Sequence, residues 1–110
     1  MRKRTLTKQS AATDAQILRL HRVMAEKVLA DPTLLARIRQ TLEQRYQAKL
    51  LRHSSYIHWY SILDCSDSPE LFKAALLDSS ERMRKYRRRT IFTGILTEAE
   101  RQLVLMETAE

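Results

Sequence analysis

Residues 13–46, TDAQILRLHRVMAEKVLADPTLLARIRQTLEQRY, decide the fold class of this chain. Ile17, Leu20, Met24 and Val28 recur at the three- and four-residue spacing that lines one face of an α-helix. Thr13 precedes them as an N-cap, and Gln16 stands three positions later as in a capping box, so the spacing predicts a helix over 14–30. Asp31-Pro32 restarts the pattern, because an Asp side chain accepts from the free amides of a new first turn and Pro tolerates a position that needs no N–H. Leu35, Ile38, Leu42 and Tyr46 then form one face of a second helix over 32–51, leaving Arg37, Arg39, Glu43 and Gln44 largely outside it.

The same reasoning carries downstream. Residues 53–60, HSSYIHWY, suit a strand or a helix by residue type, but Ser54 or Ser55 as a cap and Trp59, Ile62 and Leu63 as an inward side favour a helix. Residues 64–69 form the clearest break, and Ser68 before Pro69 opens a short helix whose buried side uses Leu71, Phe72, Ala75 and Leu76. Asp78 with Glu81 makes a capping box for a helix that turns Met83 and Tyr86 inward and Arg82, Lys85 and Arg89 outward. Residues 90–96 hold β-branched side chains and the sole glycine, Gly94, and are expected to form an ordered loop. Thr97 and Glu100 cap a last helix carrying Leu103, Val104 and Met106. The expected fold is all-α: a small bundle of five to six short helices forming a single domain over 13–110, preceded by a flexible, mobile basic N-terminal tail over 1–12.

Composition agrees. At 44% hydrophobic and 30% charged, the 110 residues are too apolar for a disordered chain and too interrupted by charge to span a membrane. One Gly and two Pro argue against a turn-rich all-β chain and against Gly-rich nucleotide loops. The single Cys65 has no partner for an internal disulfide, and no apolar run follows the basic start, so a cytoplasmic protein with no membrane partner is the expectation.

Charge is distributed unevenly. Of twenty Lys and Arg, four (Arg2, Lys3, Arg4, Lys8) lie in the first eight positions and six (Arg82, Arg84, Lys85, Arg87, Arg88, Arg89) in residues 82–89. The remainder carries ten cations against all thirteen Asp and Glu, so it is mildly acidic. Cations this crowded repel one another unless solvent or a negative counterpart screens them, which points to nucleic acid or an acidic protein surface as partner.

Catalytic chemistry has little to work with. His21, His53 and His58 are the available neutral-pH bases, yet no Ser or Cys motif accompanies them, and with Cys65 they lack the spacing of a zinc site. The carboxylates sit mostly at helix starts, as caps. Tyr56, Trp59 and Tyr60 could stack on bases, but their neighbours Ile57, Ile62 and Leu63 point to core packing instead. A non-enzyme without metal or cofactor is expected.

Residues 59–102, WYSILDCSDSPELFKAALLDSSERMRKYRRRTIFTGILTEAERQ, resemble the C-terminal half of small bacterial antitoxin-like proteins of toxin–antitoxin pairs. The likeness lies in a Trp-led helix, a short Pro-led helix, an acidic cap, a basic helix, and Phe92-Thr93-Gly94-Ile95-Leu96 running into Thr97-Glu98. Residues 21–46 resemble the N-terminal helix, Ala-Asp-Pro break and second helix of the same proteins. The resemblance implies a protein that binds and neutralises a cognate toxin encoded nearby. Interface hot spots favour Arg and aromatic residues, so Arg84, Arg87, Arg88, Arg89 and Phe92 are the expected contacts, with Gly94 shaping the loop. The alternative is a DNA-binding transcriptional regulator, either as the sole function or as an antitoxin that also autoregulates its own operon. In that reading residues 71–89 act as a helix-turn-helix, with Arg82, Lys85 and Arg89 on DNA and Arg2, Lys3 and Arg4 on phosphates.

Overall fold

Side-chain caps set most of the helix starts. Asp31 accepts from the backbone N–H of Thr33 at 3.0 Å and from its hydroxyl at 2.6 Å. Ser68 caps toward Leu71, and Thr97 and Glu100 exchange bonds, Thr97 N–H to Glu100 Oε1 at 2.8 Å and Glu100 N–H to Thr97 Oγ1 at 3.1 Å. Each satisfies an amide that a first helical turn leaves free. A computed structural model describes residues 8–108. Its helices are α1 (Lys8–Ala30), α2 (Pro32–Gln47), α3 (His53–Asp64), α4 (Pro69–Leu76), α5 (Glu81–Arg88) and α6 (Glu98–Thr108), with a 3-10 turn over Cys65–Asp67. The chain is all-α, as its periodicity predicts.

Several boundaries differ from expectation. α1 begins at Lys8, so Thr13 lies inside the helix and not at its start, and residues 8–12, expected to precede the helix, are part of it. Ala11, Ala12 and Gln9 are good helix formers, and propensity carries the helix past the Thr cap. The expected tail residues Arg2, Lys3 and Arg4 lie outside the described residues. α2 stops at Gln47, four residues early, where the chain turns: Leu50 N–H donates to Arg45 O and Lys49 N–H to Tyr46 O. This is a Schellman closure, and it puts Lys49 at φ +63°, a left-handed conformation usually reserved for Gly. α3 starts on Arg52 with no side-chain cap bond, in place of Ser54 or Ser55. α5 is capped by Ser80, whose hydroxyl accepts from Met83 N–H at 3.1 Å, while Asp78 accepts from Ser80 N–H in the preceding turn.

α1 is the centre of the assembly and packs against α2, α4, α5 and α6, while α3 closes the far side against α2 and α4. It buries His21, Met24, Ala25 and Val28, a stripe rotated slightly from the expected one, with Leu20 packed at its edge. Leu34, Ile38 and Leu42 of α2, Trp59, Ile62 and Leu63 of α3, Phe72 and Leu76 of α4 and Met83 of α5 complete the core. Burial of each large apolar side chain contributes roughly 1.5–3 kcal/mol. Leu71, expected inside, is exposed, as are Leu103 and Met106. The loop after α5 is ordered and contributes Ile91, Phe92 and Ile95 to the core. Long side chains of α1 and α2 hold its carbonyls: Lys27 Nζ donates to Ile95 O at 2.8 Å, Arg37 Nη2 to Gly94 O at 3.1 Å and Arg45 Nη1 to Thr90 O at 2.8 Å.

Candidate functional site

The six cations of residues 82–89 have separate fates. Helix geometry places Arg87 four positions after buried Met83, on the inward stripe, and its side chain is 3% exposed. Its Nη1 donates to Leu76 O at 2.8 Å and to Asp78 O at 2.9 Å, so it closes the C-terminal end of α4. Burial pulls its pKa down and Asp78 opposes that. Arg88 reaches the other way and forks onto Asp14 of α1, Nε to Oδ1 at 2.8 Å and Nη2 to Oδ2 at 2.7 Å. That hydrogen-bonded fork holds the Asp14 carboxyl below the usual range. Arg84 is half-buried and donates to Ser79 O at 3.0 Å. Arg82, Lys85 and Arg89 are exposed and make no ion pair among the described residues. Their spacing of three and four aligns them on one side of α5 and its C-cap.

Two expected contact residues therefore belong to the protein's own interior. Arg87 has its guanidinium engaged by α4, and Phe92 is 2% exposed, its ring centroid 5.8 Å from His21, 6.0 Å from Trp59 and 6.4 Å from Phe72. The loop turns Phe92 inward because Thr90 Oγ1 accepts from Phe92 N–H at 3.0 Å. Gly94 is exposed at φ +71°, where its conformation makes the turn, and it lies against Arg37 rather than beside the basic strip.

Lys85, Arg88 and Arg89 instead meet cations remote in sequence. With Arg45 from α2 and Arg52 from the turn before α3 they line a cleft of about 840 Å³. Leu50, Leu51, Trp59 and Tyr86 supply its apolar lining and Ser55 a hydroxyl; no carboxylate is among the described residues lining it. The volume falls in the range of ligand-binding clefts. Leu50, on the left-handed turn, is 73% exposed. Arg45 and Arg52 carry no local sequence signal for this role, because only the packing of α2, α3 and α5 brings them beside residues 85–89. No family model, curated protein or solved structure matches the chain.

The histidines and aromatic rings are engaged within the fold. His21, 2% exposed, donates from Nδ1 to Ile17 O at 2.8 Å, because a carbonyl can only accept. Its Nε2 then accepts from the Thr90 hydroxyl at 2.7 Å, which fixes the neutral tautomer, and desolvation lowers the pKa to about 4. His58 stacks on Tyr86 at 4.5 Å, and burial, then Arg82, lowers its pKa. Tyr56 stacks on Tyr46 at 4.0 Å, and its hydroxyl donates to Glu43 at 2.7 Å, so this cluster joins α2 to α3. His53 Nδ1 lies 2.7 Å from the Tyr46 hydroxyl, and the Cys65 thiol bonds back to Ser61 O. Among the described residues no three His, Cys, Asp or Glu side chains gather where they could hold a metal ion, and no helix is long and apolar enough to cross a membrane.

Proposed function

We propose that this protein is an antitoxin-like, non-catalytic binding protein that captures and neutralises an acidic protein partner, a toxin encoded nearby, through the exposed side of α5. The observation carrying this reading is the alignment of Arg82, Lys85 and Arg89, unpaired among the described residues, beside a cleft to which Arg45 and Arg52 add positive charge. Uncompensated like charges in one place favour an acidic counterpart, and a stable contact needs only about 800 Å² from each partner. The resemblance of residues 21–46 and 59–102 to antitoxin-like proteins supports the same reading. The contact set shifts from the sequence expectation toward residues whose guanidinium or ammonium groups remain available. Arg84 and Arg88 lie at its margins, and Arg87 and Phe92 act only as its scaffold.

Co-expression with the neighbouring gene product tests the proposal. Capture and growth rescue are expected from the native chain, and loss of both from a variant carrying Arg82→Glu, Lys85→Glu and Arg89→Glu. A harmless neighbour, or undiminished capture by the charge-reversed protein, overturns it. The DNA-regulator reading uses the same trio, presented by a helix that follows α4 after a short turn. It requires retention of the protein's own promoter region at physiological salt, with affinity falling steeply as salt rises.

A further inference from the structure

We infer that the cleft between the C-terminal turn of α2, the first half of α3 and α5 receives an apolar side chain flanked by carboxylates, presented by an acidic segment of the protein partner. This rests on the reading of the protein as a partner-binding module and names the chemistry its site accepts. Three observations lead to it. The cleft is bordered by Arg45, Arg52, Lys85 and Arg89, which make no ion pair among the described residues, beside the Asp14-paired Arg88, and no carboxylate is among its described lining residues, so it is complementary to negative charge. Its rim carries Leu50, whose backbone closes the turn after α2 while its side chain, 73% exposed, is one that a covering apolar group would remove from water. Its aromatic rings do not present themselves for base stacking: Trp59 is 1% exposed, and Tyr86 has His58 stacked at 4.5 Å and Trp59 at an edge angle 6.2 Å away. An aliphatic rim with sequestered rings suits a protein side chain better than a nucleobase, since single-strand binding sites use exposed aromatic faces. An apolar centre ringed by charge is also the anatomy of an interface hot spot.

Asp14 of α1 shows how such a segment would be held. Its carboxylate takes the cleft residue Arg88 by a two-bond fork within the fold, and Arg52 and Arg89 offer the same planar donors to an incoming Asp or Glu. The bound segment would therefore place its apolar residue against Leu50 and Leu51 and its carboxylates on Arg52, Lys85 and Arg89.

Because Trp59, the chain's single tryptophan, lines this cleft but is 1% exposed, occupancy is read by titration calorimetry of the unlabelled chain. The probes are a short synthetic peptide of Asp and Glu around a Leu-Phe pair, the same peptide with Ser-Ser at the centre, inorganic phosphate, and single-stranded DNA. The Leu-Phe peptide is expected to give a saturable change and to bind about tenfold or more tightly than the Ser-Ser peptide, the factor that burying one such side chain implies. Leu50→Ser should erase that difference, and Arg52→Glu with Arg89→Glu should abolish both signals. All three positions are exposed, so unchanged circular dichroism and thermal midpoint confirm that the variants fold. Equal binding of the two peptides, no saturation with either, or tighter saturation by phosphate or DNA overturns the inference. None of these measurements involves the toxin: failed peptide binding with intact toxin capture removes the cleft assignment alone, and the reverse removes the neutraliser reading alone.

Discussion

Replacing Arg87 by Ala should be among the most damaging single changes on the basic helix, although its neighbours differ little from it in sequence. The guanidinium is 3% exposed and makes two bonds to backbone carbonyls, at 2.8 Å to Leu76 O and 2.9 Å to Asp78 O. A hydrogen bond involving a charged group contributes about 1.5–3 kcal/mol net. Even at the lower end the pair is worth about 3 kcal/mol, before the packing of the alkyl stem is considered. For a chain of this size each kcal/mol moves the thermal midpoint by roughly 4–8 °C, so a fall on the order of 15 °C is expected. Arg87→Lys, which keeps the charge but not the planar fork, should recover about half of the loss. Urea titration followed by circular dichroism, run beside Lys85→Ala and Arg89→Ala, provides the comparison. Those two should leave stability unchanged, because their side chains lie in solvent. A cost for Arg87→Ala below about 1 kcal/mol would refute the reasoning, since the residue would then be one more solvated cation.

Three further outcomes are expected. His21 is held neutral with a pKa of about 4 against 6.5 in the unfolded chain, so unfolded molecules take up a proton that folded ones refuse. Stability should be full above pH 6.5 and fall by about 3 kcal/mol on acidification to pH 4, with His58 adding in the same direction; a flat urea midpoint across that window contradicts the buried neutral imidazole. Lys49→Gly should raise stability by about 1 kcal/mol, because Lys49 occupies a left-handed φ of +63° with an exposed side chain, and its urea midpoint should move up. Gly94→Ala should lower stability by about 1 kcal/mol through its φ of +71° while leaving partner capture intact, a separation visible in parallel denaturation and pull-down measurements.

Those features that depend on a few adjacent residues were legible in the sequence. Asp31, Ser68 and the Thr97–Glu100 pair sit where capping chemistry puts them, and the inward Trp59, Ile62 and Leu63 follow from helical spacing alone. What escaped depends on how helices meet. Leu71 and Phe72 are equally apolar neighbours, and only the packing of α4 against α1 and α3 decides that Phe72 is the one buried. Arg87 did leave a trace: it stands four residues after Met83, a spacing that shares a face, but its charge argued for the surface more loudly than its position argued for the core. The cleft left no trace, because Arg45 and Arg52 join Lys85 and Arg89 only across three helices. The sequence thus indicated a cationic face, and the fold decided which cations form it.

The irregular segment between α5 and α6 depends on residues that precede it in the chain. Its carbonyls are taken by Lys27, Arg37 and Arg45, and Thr90 is bound to His21, at separations of 45 to 69 residues. Residues 90–95 are therefore held from α1 and α2 across long stretches of chain, and closing loops of that length is a cost that only the assembled helices offset. A change that loosens α1 against α2 should loosen this remote segment with it.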